Sequence, residues 1–321
     1  MDIGKSIGLE YGAPTRNAFG EVLKELGAEN PNIVVVDGDV GNSTRTQYFG
    51  KAFPDRFFNV GIAESNLIGV ASGLAASGKD ALASSFAIFL LGNAYDQIRM
   101  SIAFPRLNVK LVGSHSGISI GEDGPSQMGI EDIALAASLP GFTVLAPADA
   151  IATAALTRAM FEMAGPVYMR TGRSSAPLAY DEGAVFEIGT ANRLRDGGDV
   201  TIVACGLMVA VALEAAAKLT DEGIGARVLD MHTIKPLDEE ALAEAARETR
   251  AIVTVEEHVL DGGLGAAVAR AVVQHHPVPM RFVGIDNTYA ESGQPQELLR
   301  KYGLMPEHVV AAVREALHSR E

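Results

Sequence analysis

The densest group of chemically capable side chains lies in one polar segment, residues 113–134, which reads GSHSGISIGEDGPSQMGIEDIA. It places an imidazole (His115), a carboxylate (Asp123) and an amide (Gln127) among several glycines. Long loops with many potential polar ligands more often serve binding or catalysis than scaffolding. The segment therefore predicts a site for a polar or charged ligand.

A second candidate is Glu64, a carboxylate that opens a helix of small residues in NVGIAESNLIGVASGLAASG, residues 59–78. An acid in the first turn of a helix is stabilised by the helix dipole, so the position has an ordinary structural explanation. It could equally present an acid to a ligand, and the spacing alone leaves both interpretations open.

Two further segments could line a site. Phe86 and Phe89 are three residues apart in SSFAIFLLGNAYDQIR, which predicts that they share one helix face. VVVDGDVGNS, residues 34–43, runs from an apolar strand into a polar turn that contains Asp39 and Ser43. Because ligands of open α/β sheets bind where strands end, this turn is another expected position for a site.

Short apolar runs that alternate with helical patterns must position these side chains. The predicted strands are 32–37, 108–114, 142–146, 166–170, 200–206, 226–230, 251–256 and 280–284. The predicted helices include 15–26, 64–76, 148–163, 208–221 and 239–247. This βαβα order predicts an α/β fold of two domains, each a mostly parallel sheet with helices on both faces.

The chain divides near residues 174–188, where SSAPLAYDEGAVFE lacks helical periodicity and contains Pro177 and Gly183. We predict an N-terminal tail at residues 1–13 and a first domain at 14–179. A linker at 180–185 and a second domain at 186–321 complete the expected organisation.

Composition excludes several classes of partner. The net charge of −14 argues against nucleic acid and anionic membranes, which require basic patches. No apolar run approaches the ~20 residues that span a bilayer, and the N-terminus lacks the apolar core of a signal peptide. A single cysteine, Cys205, excludes an intrachain disulfide, so we expect a cytoplasmic protein.

In this order and spacing, the four segments resemble the pyrimidine-binding domain of transketolases, which are thiamine-diphosphate enzymes. The resemblance continues through YMRTGR (168–173), VLDMHTIKPLD (228–238) and VEEHVLDGGLGAAV (255–268). It covers residues 15–317, and IGEDGPSQMGIEDIA is its most specific part. The second domain then corresponds to the transketolase C-terminal domain.

The resemblance implies a cofactor site for thiamine diphosphate. Glu64 is the acid that faces the pyrimidine ring, and an apolar pocket would favour its protonated form. Ile62 would prop the two rings of the cofactor, while Phe86 and Phe89 would pack on the pyrimidine. Gln127 stands where many relatives have histidine, so a proton-shuttling role does not carry over. Asp39 would lie on the thiazolium side.

The resemblance also implies a binding site for a sugar phosphate. Arg16, Ser43, His115 and Arg173 match residues that hold the terminal phosphate, and paired guanidiniums suit a dianion. Asp123 matches an acid that binds a donor hydroxyl beside the scissile bond. The implied reaction transfers a two-carbon ketol unit from a ketose phosphate to an aldose phosphate.

The Gly-Asp-Gly motif of the cofactor's diphosphate and metal site does not occur, since the chain has Asp37-Gly38-Asp39 instead. We therefore assign no metal ligand to this chain and expect a separate N-terminal subunit that carries the motif and holds Mg²⁺ (or Ca²⁺). An α2β2 assembly is expected. The alternatives are the beta subunit of a 2-oxo acid dehydrogenase decarboxylase component and a 1-deoxyxylulose-phosphate synthase-like enzyme.

Overall fold

The computed structural model describes residues 1–318, in which short buried strands alternate with helices. The strands are β1 (Tyr11–Pro14), β2 (Ile33–Asp37), β3 (Phe57–Asn59), β4 (Asp80–Phe86), β5 (Val109–Ser114), β6 (Thr143–Leu145), β7 (Val167–Arg170), β8 (Ser175–Pro177), β9 (Asn192–Arg195), β10 (Val200–Ala204), β11 (Ala226–Asp230), β12 (Thr233–Lys235), β13 (Ile252–Val259) and β14 (Met280–Ile285). The α-helices are α1 (Thr15–Glu29), α2 (Gly41–Thr44), α3 (Gln47–Ala52), α4 (Glu64–Ala76), α5 (Ala87–Asn93), α6 (Tyr95–Ile98), α7 (Asp132–Ala137), α8 (Ala150–Glu162), α9 (Met208–Asp221), α10 (Glu239–Glu248), α11 (Leu264–His275), α12 (Pro295–Lys301) and α13 (Pro306–His318).

The first sheet has the strand order β12-β6-β7-β5-β4-β2-β3, and β2 to β7 run parallel within it. Helices cover both faces, which is why every residue of β2 and β5 is buried and most of them are apolar. Phe19 of α1 packs with Val35 on one face, and Leu67 of α4 packs with Val36 on the other. Successive side chains of β2 thus pack on opposite faces of the sheet.

The second sheet has the order β14-β13-β10-β11-β9, in which only the β9 edge strand is antiparallel. Val211 and Leu219 of α9 pack with Val200 and Val228 in its core. The predicted architecture of two mostly parallel sheets flanked by helices is confirmed. None of the helices in residues 1–318 is both long and apolar enough to cross a bilayer.

Three strands of the first sheet, β3, β4 and β12, were missed by the pattern because each is short or mixes polar with apolar residues. β4 carries Ser84 and Ser85 in its buried stretch and ends at Phe86. The expectation that Phe86 and Phe89 share a helix face is therefore wrong, since only Phe89 lies within α5.

Two features cross the predicted domain limits. Thr233 of β12 pairs antiparallel with Leu145 of β6, so a strand from the second segment extends the first sheet. The expected N-terminal tail is anchored: Ile3 is 1% exposed, and the Gly4 N–H donates to Glu214 Oε2 at 2.7 Å. A tail is thus the wrong description of residues 1–13, while the remaining boundaries stay a prediction.

Candidate functional site

The first sheet brings most of the predicted site residues to one edge. β3, β2, β4, β5 and β7 are neighbours or near neighbours and run parallel, so their carboxyl ends meet there. The predicted residues at or after those strand ends are Asp39, Ser43, Ile62, Glu64, Phe86, His115 and Arg173. This is the edge at which open α/β sheets bind ligands.

Glu64 is a buried acid at the first position of α4, with 6% of its surface exposed. Gly61, at a φ of 74° that favours glycine, turns the chain from β3 towards this helix. The Ser85 hydroxyl on β4 donates to Glu64 Oε1 at 3.2 Å. Within residues 1–318 the side-chain hydrogen bond of Glu64 involves Oε1 alone, so Oε2 can face a ligand.

Three rings stand side by side, and the central one belongs to Phe86, which follows Ser85 in the chain. The Phe86 and Phe89 rings are stacked, with centroids 5.5 Å apart and planes inclined by 9°. His115 stacks on Phe86 at 3.8 Å and 14°. Both phenyl rings remain partly exposed, so they offer an apolar surface to a flat ligand.

Asn59, the last residue of β3, connects Asp39 with Gly61, the residue before Ile62. The Asn59 side chain donates to Asp39 Oδ1 at 2.8 Å and accepts from the Gly61 N–H at 2.9 Å. Ile62 is 80% exposed, which is unusual for an apolar side chain beside a buried acid. Within residues 1–318 no group of three His, Cys, Asp or Glu residues is arranged to hold a metal ion.

Arg16 lies in the first turn of α1, where its Nη1 donates to the Ser43 carbonyl oxygen at 3.0 Å. The backbone oxygen of Ser43, and not its hydroxyl, is the observed contact. Burial, reinforced by the positive charges of Arg45 and Arg173, lowers the pKa of Arg16 to about 10. Arg45 is held beside it by a 2.7 Å bond from its Nε to Asn17 Oδ1.

His115 is 2% exposed and adopts a φ of 60°, while its Nδ1 lies 2.9 Å from Ser114 Oγ. Burial is the main reason that its pKa falls to about 3, followed by the charges of Arg16, Arg173 and Arg45. The imidazole is therefore neutral near pH 7. The three arginines thus all contribute positive charge to the surroundings of His115.

Arg173 and Asp123, two predicted substrate residues, form an ion pair. Arg173 Nη1 lies 3.2 Å from Asp123 Oδ1 and donates to the Ile120 carbonyl oxygen at 3.0 Å. About one third of each side chain is exposed. The acid thus contacts the cation directly.

The 113–134 segment is fixed by the second sheet. Glu257 of β13 accepts from the N–H of Ser119 at 2.5 Å and from its hydroxyl at 3.2 Å. Gln127, by contrast, accepts from Ser126 Oγ at 2.6 Å and bonds to none of the other predicted residues in the described part of the chain. Its place in a shared site stays a prediction.

Sequence reasoning missed Ser85, Asn59 and Arg45. Ser85 and Asn59 lie at or next to strand ends, where polar residues interrupt apolar runs. Arg45 follows Ser43 by two residues in the turn that already attracted attention. β3 and β4 were not predicted, so no strand end pointed to Asn59 or Ser85. For Arg45 the signal was its position just after the polar turn of residues 34–43.

Comparison with known proteins agrees with this geometry. Residues 12–178 match the family described as "Transketolase, pyrimidine binding domain", and residues 189–309 match "Transketolase, C-terminal domain". A "Putative transketolase C-terminal section" from Methanocaldococcus jannaschii is 43% identical over 305 residues, covering 94% of this chain and 96% of that protein.

Two other relatives are described as parts of divided enzymes. "6-deoxy-6-sulfo-D-fructose transketolase subunit SqwH" from Clostridium sp. (strain MSTE9) is 41% identical over 300 residues, covering 94% of this chain and 93% of that protein. The solved structure "Split gene transketolase, inactive beta4 tetramer" is 50% identical, with a TM-score of 0.90, and covers 97% of this chain and 100% of that one.

Proposed function

Because this chain belongs to the transketolase family, we propose that it is the subunit of a split transketolase that binds the pyrimidine end of thiamine diphosphate and the phosphate end of sugar substrates. The observation that carries the proposal is the buried Glu64 carboxyl, held by Ser85 beside stacked phenyl rings. The neutral His115 stacks on Phe86 and lies in the positive field of Arg16, Arg45 and Arg173. An acid, an aromatic surface and an anion site thus adjoin one another.

The pyrimidine end of thiamine diphosphate fits the residues that are present. The side-chain hydrogen bond of Glu64 within residues 1–318 involves Oε1 alone, so Oε2 can meet a ring nitrogen. Phe89 is partly exposed, and Ile62 is an uncovered apolar side chain at the same edge. Apolar side chains exposed together to water are unfavourable, so the exposed Ile62 and the partly exposed Phe89 favour a bound aromatic ring.

Thiamine diphosphate, when bound, supplies the chemistry that breaks and forms the carbon–carbon bond. Glu64 would hold the aminopyrimidine ring and supply or take up a proton at Oε2, and the Ser85 hydroxyl orients this acid by holding Oε1. Gln127 and Asp39 complete the proposed cofactor surroundings. Arg16, Ser43, His115 and Arg173 hold the terminal phosphate, and Asp123 receives a donor hydroxyl.

We assign the cofactor's diphosphate, with its Mg²⁺ or Ca²⁺, to a separate N-terminal subunit in an α2β2 assembly. A divalent ion normally joins a diphosphate to oxygen ligands. The relative solved as a β4 tetramer is described as inactive, which supports the idea that the second chain is required. The decarboxylase and synthase alternatives are not favoured, since both matched domains are transketolase domains.

Reconstitution tests the proposal. The chain would be purified alone and with its candidate partner, and transfer of a two-carbon unit from a ketose phosphate to an aldose phosphate would be assayed with thiamine diphosphate and Mg²⁺. Turnover is expected only with both chains. Turnover by the lone chain, or a complex that processes no ketose phosphate, contradicts the proposal.

A further inference from the structure

Arg45 has a backbone conformation that needs an explanation. It follows α2 with a φ of 71°, a region that side chains other than glycine rarely occupy. Asp39 and His115, at φ values of 66° and 60°, share this property and the same sheet edge. Strained residues of this kind persist where surrounding structure holds them, and they concentrate at binding sites.

The contacts of Arg45 hold it against the first turns of α1. Its Nε donates to Asn17 Oδ1 at 2.7 Å, and its Nη1 donates to the Asn42 carbonyl oxygen at 2.5 Å. On α1, a Cβ at Gly20 would lie 2.5 Å from the Arg45 Cβ, so glycine is what permits this approach. The guanidinium is thus fixed against the first turn of α1, where Arg16 immediately precedes Asn17.

The positive charges here are only partly balanced. Arg173 has Asp123 as its counter-ion. Within residues 1–318, neither Arg16 nor Arg45 lies within 4 Å of a carboxylate oxygen, and the buried Arg16 Nε has no hydrogen-bond partner. Buried donors are normally satisfied, so an unsatisfied one points to a ligand. With His115 neutral, the region carries two positive charges that lack counter-ions.

We propose that Arg45 is a specificity-determining residue, whose second unbalanced charge makes the site select a dianionic phosphate monoester over a monoanion such as a sulfonate. The inference rests on the proposed function, because it concerns the substrate group of that same site. A phosphate monoester carries close to two negative charges near neutral pH, whereas a sulfonate carries one. Coulomb energy scales with ligand charge, so removing Arg45 should reduce the binding free energy of the dianion about twice as much as that of the monoanion.

The test compares Arg45→Gln with the wild type in the reconstituted complex, using a ketose phosphate and the ketose with sulfonate in the same position. We expect kcat/KM to fall about a hundredfold for the phosphate and about tenfold for the sulfonate. Arg45→Lys keeps the charge and should recover part of the preference. Arg106→Gln is the matched control, because Arg106 also has a positive φ (56°) and lies outside the site.

Equal losses on the two substrates, or no loss on the phosphate, contradict the inference while leaving the transketolase proposal intact. If the wild-type complex transfers nothing, the proposed function fails, and direct binding decides the inference. Inorganic phosphate and methanesulfonate would then be titrated against the full chain and followed by arginine side-chain NMR signals. Phosphate binding that is unchanged in Arg45→Gln overturns the inference.

Discussion

The imidazole of His115 stacks on the ring of Phe86, with centroids 3.8 Å apart and planes inclined by 14°. Phe86 ends β4 and His115 follows β5, so the contact joins the ends of two adjacent parallel strands. One side of this contact belongs to the proposed cofactor surface and the other to the proposed phosphate site. Displacement of either ring should therefore affect both.

His115→Asn should lower kcat/KM for phosphorylated substrates about tenfold without altering the shape of its pH profile. Burial and three arginines depress the pKa of His115 to about 3, so the imidazole stays neutral over the usual assay range. Loss of the imidazole removes a hydrogen-bond donor and a stacking partner, but it removes no group that titrates in this pH range. The measurement is kcat/KM between about pH 5 and 8, which reports groups of the free enzyme. A limb of the profile that disappears in the variant would contradict the assignment.

Glu64→Gln should abolish nearly all turnover, by about 10²–10⁴-fold, while the chain still folds and pairs with its partner. An amide keeps the shape and the Ser85 contact but cannot exchange the proton. Steady-state kinetics measures the turnover, and circular dichroism measures the folding. Glu307→Gln is the control, since Glu307 is also in the first turn of a helix but is exposed. Activity within about threefold of wild type would contradict the proposed role of Glu64.

Arg173→Ala should weaken phosphorylated substrates about tenfold to a hundredfold and affect hydroxypyruvate much less, because hydroxypyruvate lacks the phosphate. The substitution also leaves Asp123 without its ion-pair partner. The double variant Arg173→Ala/Asp123→Ala separates lost phosphate binding from new repulsion by the acid. Equal losses on the two substrate types in the single and double variants would show that Arg173 does not hold phosphate.

Asp230→Asn should stabilise the fold increasingly as pH rises. Asp230 ends β11, is fully buried and accepts from the Tyr180 hydroxyl at 2.6 Å. Burial raises its pKa to about 8 from an ordinary 3.8, so the protonated form is favoured in the folded state. The contribution of protonated Asp230 to the free energy of unfolding is complete below about pH 4. It is lost as pH rises towards 8, at up to about 1.4 kcal/mol per pH unit.

Urea unfolding of Asp230→Asn and wild type at several pH values measures this difference. Asparagine remains neutral and can still accept from Tyr180, so the gap in unfolding free energy should widen between about pH 5 and 8. Asp181→Asn, at an exposed position, is the control and should show no such trend. Parallel curves for wild type and Asp230→Asn would mean that Asp230 does not titrate in this window.

The sequence by itself determined the α/β class, the helix that begins at Glu64 and most buried strands. These are local properties, because apolar runs and helical periods are written within a few residues of each other. The resemblance carried by IGEDGPSQMGIEDIA and its companion segments also pointed to the family that the comparisons show. It named the candidate residues but not the contacts among them.

Only the tertiary structure decided which of those residues meet. Strand order placed His115 on Phe86, a loop bend paired Arg173 with Asp123 across 50 residues, and a positive φ set Arg45 beside Asn17. The tertiary structure also pairs β12 with the first sheet and packs Ile3 into the core of the second. Such contacts depend on non-local packing of crossover connections, which no local periodicity encodes.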